Sequence, residues 1–266
     1  MPKKTRGALT VRNDSTGAAP LPVLGKNAVA KLPGVGGTVR REKGATLIEG
    51  RPYMTRDGEI PAWQVFYVDD VRPDRDGPWL GEADKVAWRD QDTGYECIIL
   101  RDARGGHLCG YVGVPQGHPL WGFSDDAIPA DLGIEVHGGL SYSNICDEGP
   151  TPERFLSNEA RSICHVVVPK TVRATTEHAT EYRVNDAHAW WFGFECNQVY
   201  DLVPNTVRPD VSVPNAEIGR IYRDDAYLLA EVRALAAQLR AVADGLPAPT
   251  RDGPPPPVGL SPRQGC

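Results

Sequence analysis

Three short stretches combine residue types that do chemistry with spacings that bring them together. The first is Cys109-Gly110-Tyr111-Val112-Gly113-Val114-Pro115-Gln116-Gly117-His118-Pro119-Leu120, where a strand-like run closes on a Pro/Gly turn that presents His118. The second is Glu135-Val136-His137-Gly138-Gly139-Leu140-Ser141-Tyr142-Ser143. On a strand, Glu135 and His137 would face the same side, and Gly138-Gly139 would let the chain turn sharply or approach a ligand closely. The third is Trp190-Trp191-Phe192-Gly193-Phe194-Glu195-Cys196, continuing to Asp201. It delivers a carboxylate to the end of a very apolar strand, where burial without a partner would cost several kcal/mol. Imidazole and carboxylate groups at strand ends are the donors from which hydrolytic metal sites are built.

These residues define an expected site. His137, Glu195 and His118 are its candidate catalytic groups. His118, His137 and Asp201 are its candidate ligands for a divalent metal. Glu135, Gly138, Gly139, Tyr142 and Trp191 are candidate ligand-binding residues, with the aromatic strand and glycine turns forming a pocket. Glu135 would orient His137 or share a ligand with it. A cysteine nucleophile, Cys109 or Cys146 with His137 and with Asn144 or Asp147, is a further arrangement, although nothing local lowers a thiol pKa. The sequence holds no HExxH, no GxSxG, no Walker loop and no zinc-ribbon spacing. Leu32-Pro33-Gly34-Val35-Gly36-Gly37-Thr38 lacks the GK[ST] ending of a phosphate loop and reads as a linker.

The elements that must hold these groups are mostly strands. Ala62–Val68, Tyr95–Leu100, Leu108–Val114, Ile134–His137, Ser162–Val168 and Trp190–Glu195 are short, β-branched or aromatic, and flanked by turn residues. Asp102-Ala103-Arg104-Gly105-Gly106 reads as a hairpin turn. Residues 147–160 and 171–188 read as surface insertions. Apolar residues at Leu228/Leu229, Val232, Leu235/Ala236, Leu239 and Val242 keep a 3.6-residue period behind Asp224-Asp225 and stop before Gly245 and Pro247. The expected fold is α+β: a mostly antiparallel sheet with long loops and a C-terminal amphipathic helix over 223–244 packed on it. The expected organisation is a flexible basic arm over 1–45, a small extension over 46–77, a core domain over 78–245 and a disordered Pro-rich tail over 246–266.

Composition narrows the class. With 266 residues, 41% hydrophobic and 24% charged, the chain is an ordinary globular one and is neither collagen-like nor a coiled coil. No apolar run approaches the ~18–20 residues of a membrane helix, and no apolar stretch backs the basic start as in a secretory signal. The six cysteines form no CxxC pair and read as reduced thiols of a cytoplasmic protein. Residues 1–50 carry nine Lys/Arg against three Asp/Glu, whereas the whole chain has a net charge of −6. A basic arm on an acidic body could contact nucleic acid. Oligomeric state is not readable.

The order GPWL-GEADKVAW, CGYVGVPQGHPLWG, EVHGGLSYS, ICHV, WWFGFEC and YRDDAYLLAEVRALAAQL resembles an uncharacterised family of phage and prophage proteins. The resemblance spans roughly residues 77 to 240, and the CGYVG–GHPL and VHGG blocks are its most specific part. Typical members carry an aspartate at the position of Glu195 and an Ala-His pair at Asn197-Gln198. The resemblance implies a phage context, hence a host cytoplasm, and brings no established activity. Residue types and spacing point first to a metal-assisted hydrolase or transferase acting on a nucleotide or phosphoester. The alternatives are a phage protein that sequesters a nucleotide or host protein without turnover, and a virion structural protein.

Overall fold

The computed structural model describes residues 37–145, 155–163, 189–206 and 220–249. Strands β1 (Thr38–Glu42), β2 (Ala45–Glu49), β5 (Gln64–Val68), β6 (Lys85–Arg89), β7 (Glu96–Arg101), β8 (Leu108–Pro115), β9 (Tyr142–Ile145) and β10 (Ala189–Glu195) form one sheet, in the order β1-β2-β5-β6-β7-β8-β10-β9. Every pairing in it is antiparallel. Strands β3 (Tyr53–Met54) and β4 (Glu59–Ile60) make a separate small hairpin. A short helix α1 (Leu156–Arg161) and a long helix α2 (Asp225–Ala243) complete the described elements of regular α and β structure. The fold is α+β, with the C-terminal helix on an antiparallel sheet.

Alternation along the strands gives the sheet two apolar faces. On one, Val112, Val114, Phe192 and Phe194 pack against Leu228, Val232, Leu235 and Leu239 of α2, all essentially buried. Each such side chain contributes about 1.5–3 kcal/mol on burial. The periodic stripe read from the sequence is therefore what seats the helix. Asp224 caps it, its carboxylate accepting the Tyr227 N–H at 3.0 Å. On the other face, Ile98, Leu100, Cys109, Tyr111 and Trp191 cluster, and α1 covers Leu47, Phe66 and Val68 with Leu156 and Ala160. The buried Lys85 ammonium holds α1 down by donating to the Glu159 and Ser162 carbonyls, 2.7 Å each. Gly193 is a packing requirement: a Cβ there would lie 2.2 Å from the Tyr111 ring across the β8–β10 pair.

The sheet departs from the sequence reading in two places. It continues through residues expected to be arm and extension, because β5 pairs with β6 and β1 with β2. Strand β1, TVRRE, is almost wholly exposed and is held by backbone pairing, so it has no apolar pattern to read. Residues Ile134–His137 do not form a strand. Gly133 takes a left-handed conformation (φ 66) after a 3₁₀ turn. The Gln238 carboxamide then takes both backbone groups of Glu135, accepting its N–H at 2.6 Å and donating to its carbonyl at 2.9 Å. A side chain thus substitutes for the neighbouring strand. Most of the expected basic arm, the strand beyond Ile163, most of the two insertions, the Pro-rich tail beyond residue 249, and Cys146, Asp147, Cys164 and Cys266 lie outside the described residues.

Candidate functional site

The turn at Gly138-Gly139 sets the site. Both residues have positive φ (70 and 83), and the Gly139 N–H closes on the Val136 carbonyl at 3.0 Å. A Cβ on Gly138 would also strike the Gln198 side chain at 2.5 Å. The turn drives His137 inward to 0% exposure. Its Nε2 lies 2.6 Å from Asp201 Oδ2 and its Nδ1 2.9 Å from the Tyr227 hydroxyl on α2. Its backbone N–H donates to Glu231 of the same helix at 3.2 Å.

Asp201 is held from three sides. Oδ2 also accepts the Gln198 N–H at 2.8 Å, and Oδ1 accepts Arg223 Nε at 3.0 Å. Burial works to raise the Asp201 carboxyl, but these hydrogen bonds outweigh it and hold the group below its ordinary value. An ionised carboxylate only accepts, so Nε2 carries a hydrogen and, in the neutral ring, Nδ1 accepts the Tyr227 O–H. The Arg223 guanidinium sits over the Tyr227 ring, 4.8 Å from its centroid. A carboxylate, an imidazole and a hydroxyl thus form one relay. Its hydroxyl belongs to a half-buried residue, while the other two groups are sealed. Such a chain can take the hydroxyl proton onto the ring and stabilise the imidazolium formed.

His118 belongs elsewhere. Its Nε2 donates to the Leu239 carbonyl at 2.9 Å and its Nδ1 accepts the Leu120 N–H at 3.1 Å. Burial lowers this imidazole despite the Leu239 bond. Leu239 and Tyr227 are twelve residues apart on α2, about 18 Å along the axis. His118 and His137 are therefore tied to opposite ends of the helix and cannot share an ion with ~2 Å ligand bonds. Of the three expected metal ligands, His137 and Asp201 come together, bonded to each other, and His118 does not join them. Among the described residues no group of three or more His, Cys, Asp or Glu is placed to hold a metal ion.

Glu195 lies on the other face of the sheet, opposite Cys109 in register. It accepts a hydrogen bond from Asn197, and His107 Nε2 stands 3.8 Å from it. Trp191 and Tyr142 pack on that same face, with Tyr142 edge-on to Tyr111 at 5.3 Å. Cys109 is there too, away from the α2 side where His137 is bound. Glu135 is fixed by its backbone, and its exposed side chain lines a groove of about 450 Å³ with Asp131 and Leu246. Gly138 and Gly139 shape the turn described above. The residues that sequence reasoning misses are Tyr227, Arg223 and Glu231. Glu231 carries a signal: it falls on the apolar stripe, three residues after Leu228, and is 2% exposed.

A second buried polar cluster lies under the first turn of α2. Arg101 donates to Asp84 (2.8 Å), Glu82 (2.9 Å), the Gly106 carbonyl (2.8 Å) and the Tyr222 hydroxyl (3.0 Å). Glu82 also accepts the Asp225 N–H at 3.1 Å. Burial, the largest influence, pushes the Glu82 carboxyl up to about 6 from 4.5, against the Arg101 charge. A raised carboxyl binds more protons folded than unfolded between these values, so stability falls as pH rises from about 4.5 to 6. The Glu82 contribution is about 2 kcal/mol. Denaturant unfolding of wild type and Glu82→Gln across that range should show it as a difference between the two curves, and parallel curves would refute it.

Among the described residues no helix is long and apolar enough to cross a membrane. No protein-family model matches the chain, and neither a curated protein nor a solved structure shows significant similarity to it.

Proposed function

We propose that the chain is a hydrolase or transferase acting on a phosphoester, with Tyr227 as nucleophile, His137 as its base and Asp201 as the group that orients His137. One observation carries this reading: the Asp201–His137–Tyr227 relay ends at the hydroxyl of a half-buried tyrosine whose ring lies under a guanidinium. In the reaction the Tyr227 oxygen bonds to phosphorus as the bond to the leaving oxygen breaks. The hydroxyl proton passes to His137 Nδ1, which returns it to the leaving group; water, or an acceptor hydroxyl in a transfer, then attacks phosphorus as the bond to the Tyr227 oxygen breaks, its proton passing through His137 to that oxygen. Arg223 neutralises phosphate charge. Because His137 and Asp201 are committed to each other, a divalent metal in this reading arrives with the substrate phosphates.

Tyr227→Phe tests it. On p-nitrophenyl phosphate and bis(p-nitrophenyl) phosphate, kcat should fall by about 10²-fold or more, while loss of one hydroxyl costs stability only about 1 kcal/mol. Unchanged turnover in the variant would sink the nucleophile assignment. A second reading, binding without turnover, is favoured by the complete burial and double hydrogen bonding of His137, which also make the relay a tie between three segments. Ligand binding by a wild-type chain that turns over neither compound would establish that reading instead.

A further inference from the structure

The sheet ends at β1, and its outer edge is open. Among the described residues nothing pairs with β1 on the side away from β2. The Glu42–Ala45 pair closes on a two-residue turn in which Lys43 and Gly44 both have positive φ (44 and 79), so Glu42 spends its N–H and C=O on β2. Alternation gives Arg40 the same inward bonding and leaves the N–H and C=O of Val39 and Arg41 pointing outward. The register runs unbroken through five pairs, without the proline or bulge that ordinarily blunts an edge. Side chains alternate as well. Arg40, opposite Leu47, lies on the α1 face, where Glu42 accepts the Leu156 N–H at 3.4 Å. Val39 and Arg41, opposite Ile48 and Thr46, lie on the α2 face, and Val39 is 42% exposed. Both arginines are exposed, and among the described residues neither makes a side-chain hydrogen bond or an ion pair.

We infer that the outer edge of β1 receives an extended acidic segment of another protein as an added antiparallel strand, with acidic residues opposite Arg41 and Arg40 and an apolar residue opposite Val39. Charge complementarity selects this occupant. Arg40 and Arg41 are successive residues on opposite faces of the sheet, so no single phosphate or small anion meets both. An extended chain does, because its own successive side chains alternate between the faces, and its backbone satisfies the outward groups of Val39 and Arg41. A second copy of β1 does not fit, since every antiparallel register that overlaps most of the strand sets arginine opposite or diagonal to arginine. Residues 1–36 do not fit either, because they carry six Lys/Arg against one Asp. The arginines therefore guard the edge against like strands and specify the strand it accepts. Read from its N-terminus, that strand runs acidic, acidic, apolar.

The probe is the blocked peptide Ac-TEEVT-amide, whose residues fall opposite Glu42 through Thr38, titrated into the full chain and followed by amide NMR and hydrogen exchange. It should bind at millimolar concentration, and the Val39 and Arg41 amides should gain protection, whereas those of Arg40 and Glu42 are protected by β2 beforehand. Methylating the valine nitrogen, which faces the Val39 carbonyl, should weaken binding roughly tenfold. The charge-reversed peptide Ac-TKKVT-amide should also bind roughly tenfold more weakly. In the double variant Arg40→Glu, Arg41→Glu that preference should invert. Both side chains are exposed, so the variant's melting temperature should stay within about 2 °C of wild type. No binding of Ac-TEEVT-amide, binding indifferent to charge reversal, or binding indifferent to valine methylation would each overturn the inference. So would protection of the Val39 and Arg41 amides in the free chain that grows with protein concentration, which would give the edge to a second copy.

Discussion

Replacing Arg101 with methionine is expected to cost about 3–5 kcal/mol of folding stability. Arg101 is 3% exposed, and its guanidinium spends four donors on two carboxylates, a carbonyl and a tyrosine hydroxyl. Methionine fills much of the volume but leaves Glu82 and Asp84 as buried carboxylates without their counter-charge. Arg72, at 3.6 Å from Asp84, compensates only one of them. Because Glu82 also receives the Asp225 N–H, the first turn of α2 should loosen, and amide exchange near residues 225–229 should accelerate. Urea unfolding measures the main effect. A loss under about 1 kcal/mol would mean the two carboxylates are compensated by something other than Arg101.

His137→Ala is the second large case. It deletes a side chain at 0% exposure, strands the Asp201 carboxylate and the Tyr227 hydroxyl, and leaves a cavity where three segments meet. A loss of about 3 kcal/mol follows from the unpaired groups and the void together. For a chain of this size that is roughly 6–12 °C in melting temperature. Activity would fall with it, so this substitution cannot by itself separate chemistry from folding, whereas Tyr227→Phe can. A melting temperature within about 1–2 °C of wild type would show that the ring is not a structural tie.

How much of the molecule is legible in its sequence depends on the range of the interactions involved. The strands around Tyr95–Leu100, Leu108–Val114 and Trp190–Glu195 announce themselves through β-branched and aromatic runs between turn residues, and the helix near 225–243 through its 3.6-residue apolar period; these local features are also what buries them. His137 and Asp201 are recognisable as functional types, but their relation is not: they are 64 positions apart, and Tyr227 is 90 from His137. His118 reads as a site residue because its turn is local, while the Leu239 carbonyl that occupies it is 121 positions away. Residues 134–137 have strand composition, yet Gln238, 103 positions on, supplies their pairing. His107, beside Glu195, is invisible for the same reason, since the β8–β10 register that joins them is set by the whole sheet.

The strand order also governs how the chain can be made. Strands β1, β2, β5, β6, β7 and β8 are laid down as neighbours in the order of synthesis. The partner for the outer edge of β8 is residues 189–195, beyond an interval from 116 to 188, and the helix that covers Val112 and Val114 starts only at Asp225. At ~5–20 residues per second, a ribosome needs about 4–15 s to cross the first interval. During that time a nascent meander displays both an unpaired strand edge and an uncovered apolar face, the combination that invites intermolecular pairing. The vulnerable stage of this protein's life is therefore translational. Slow decoding between residues 116 and 225 would lengthen it, and a chaperone waiting at the ribosome would have its clearest target there.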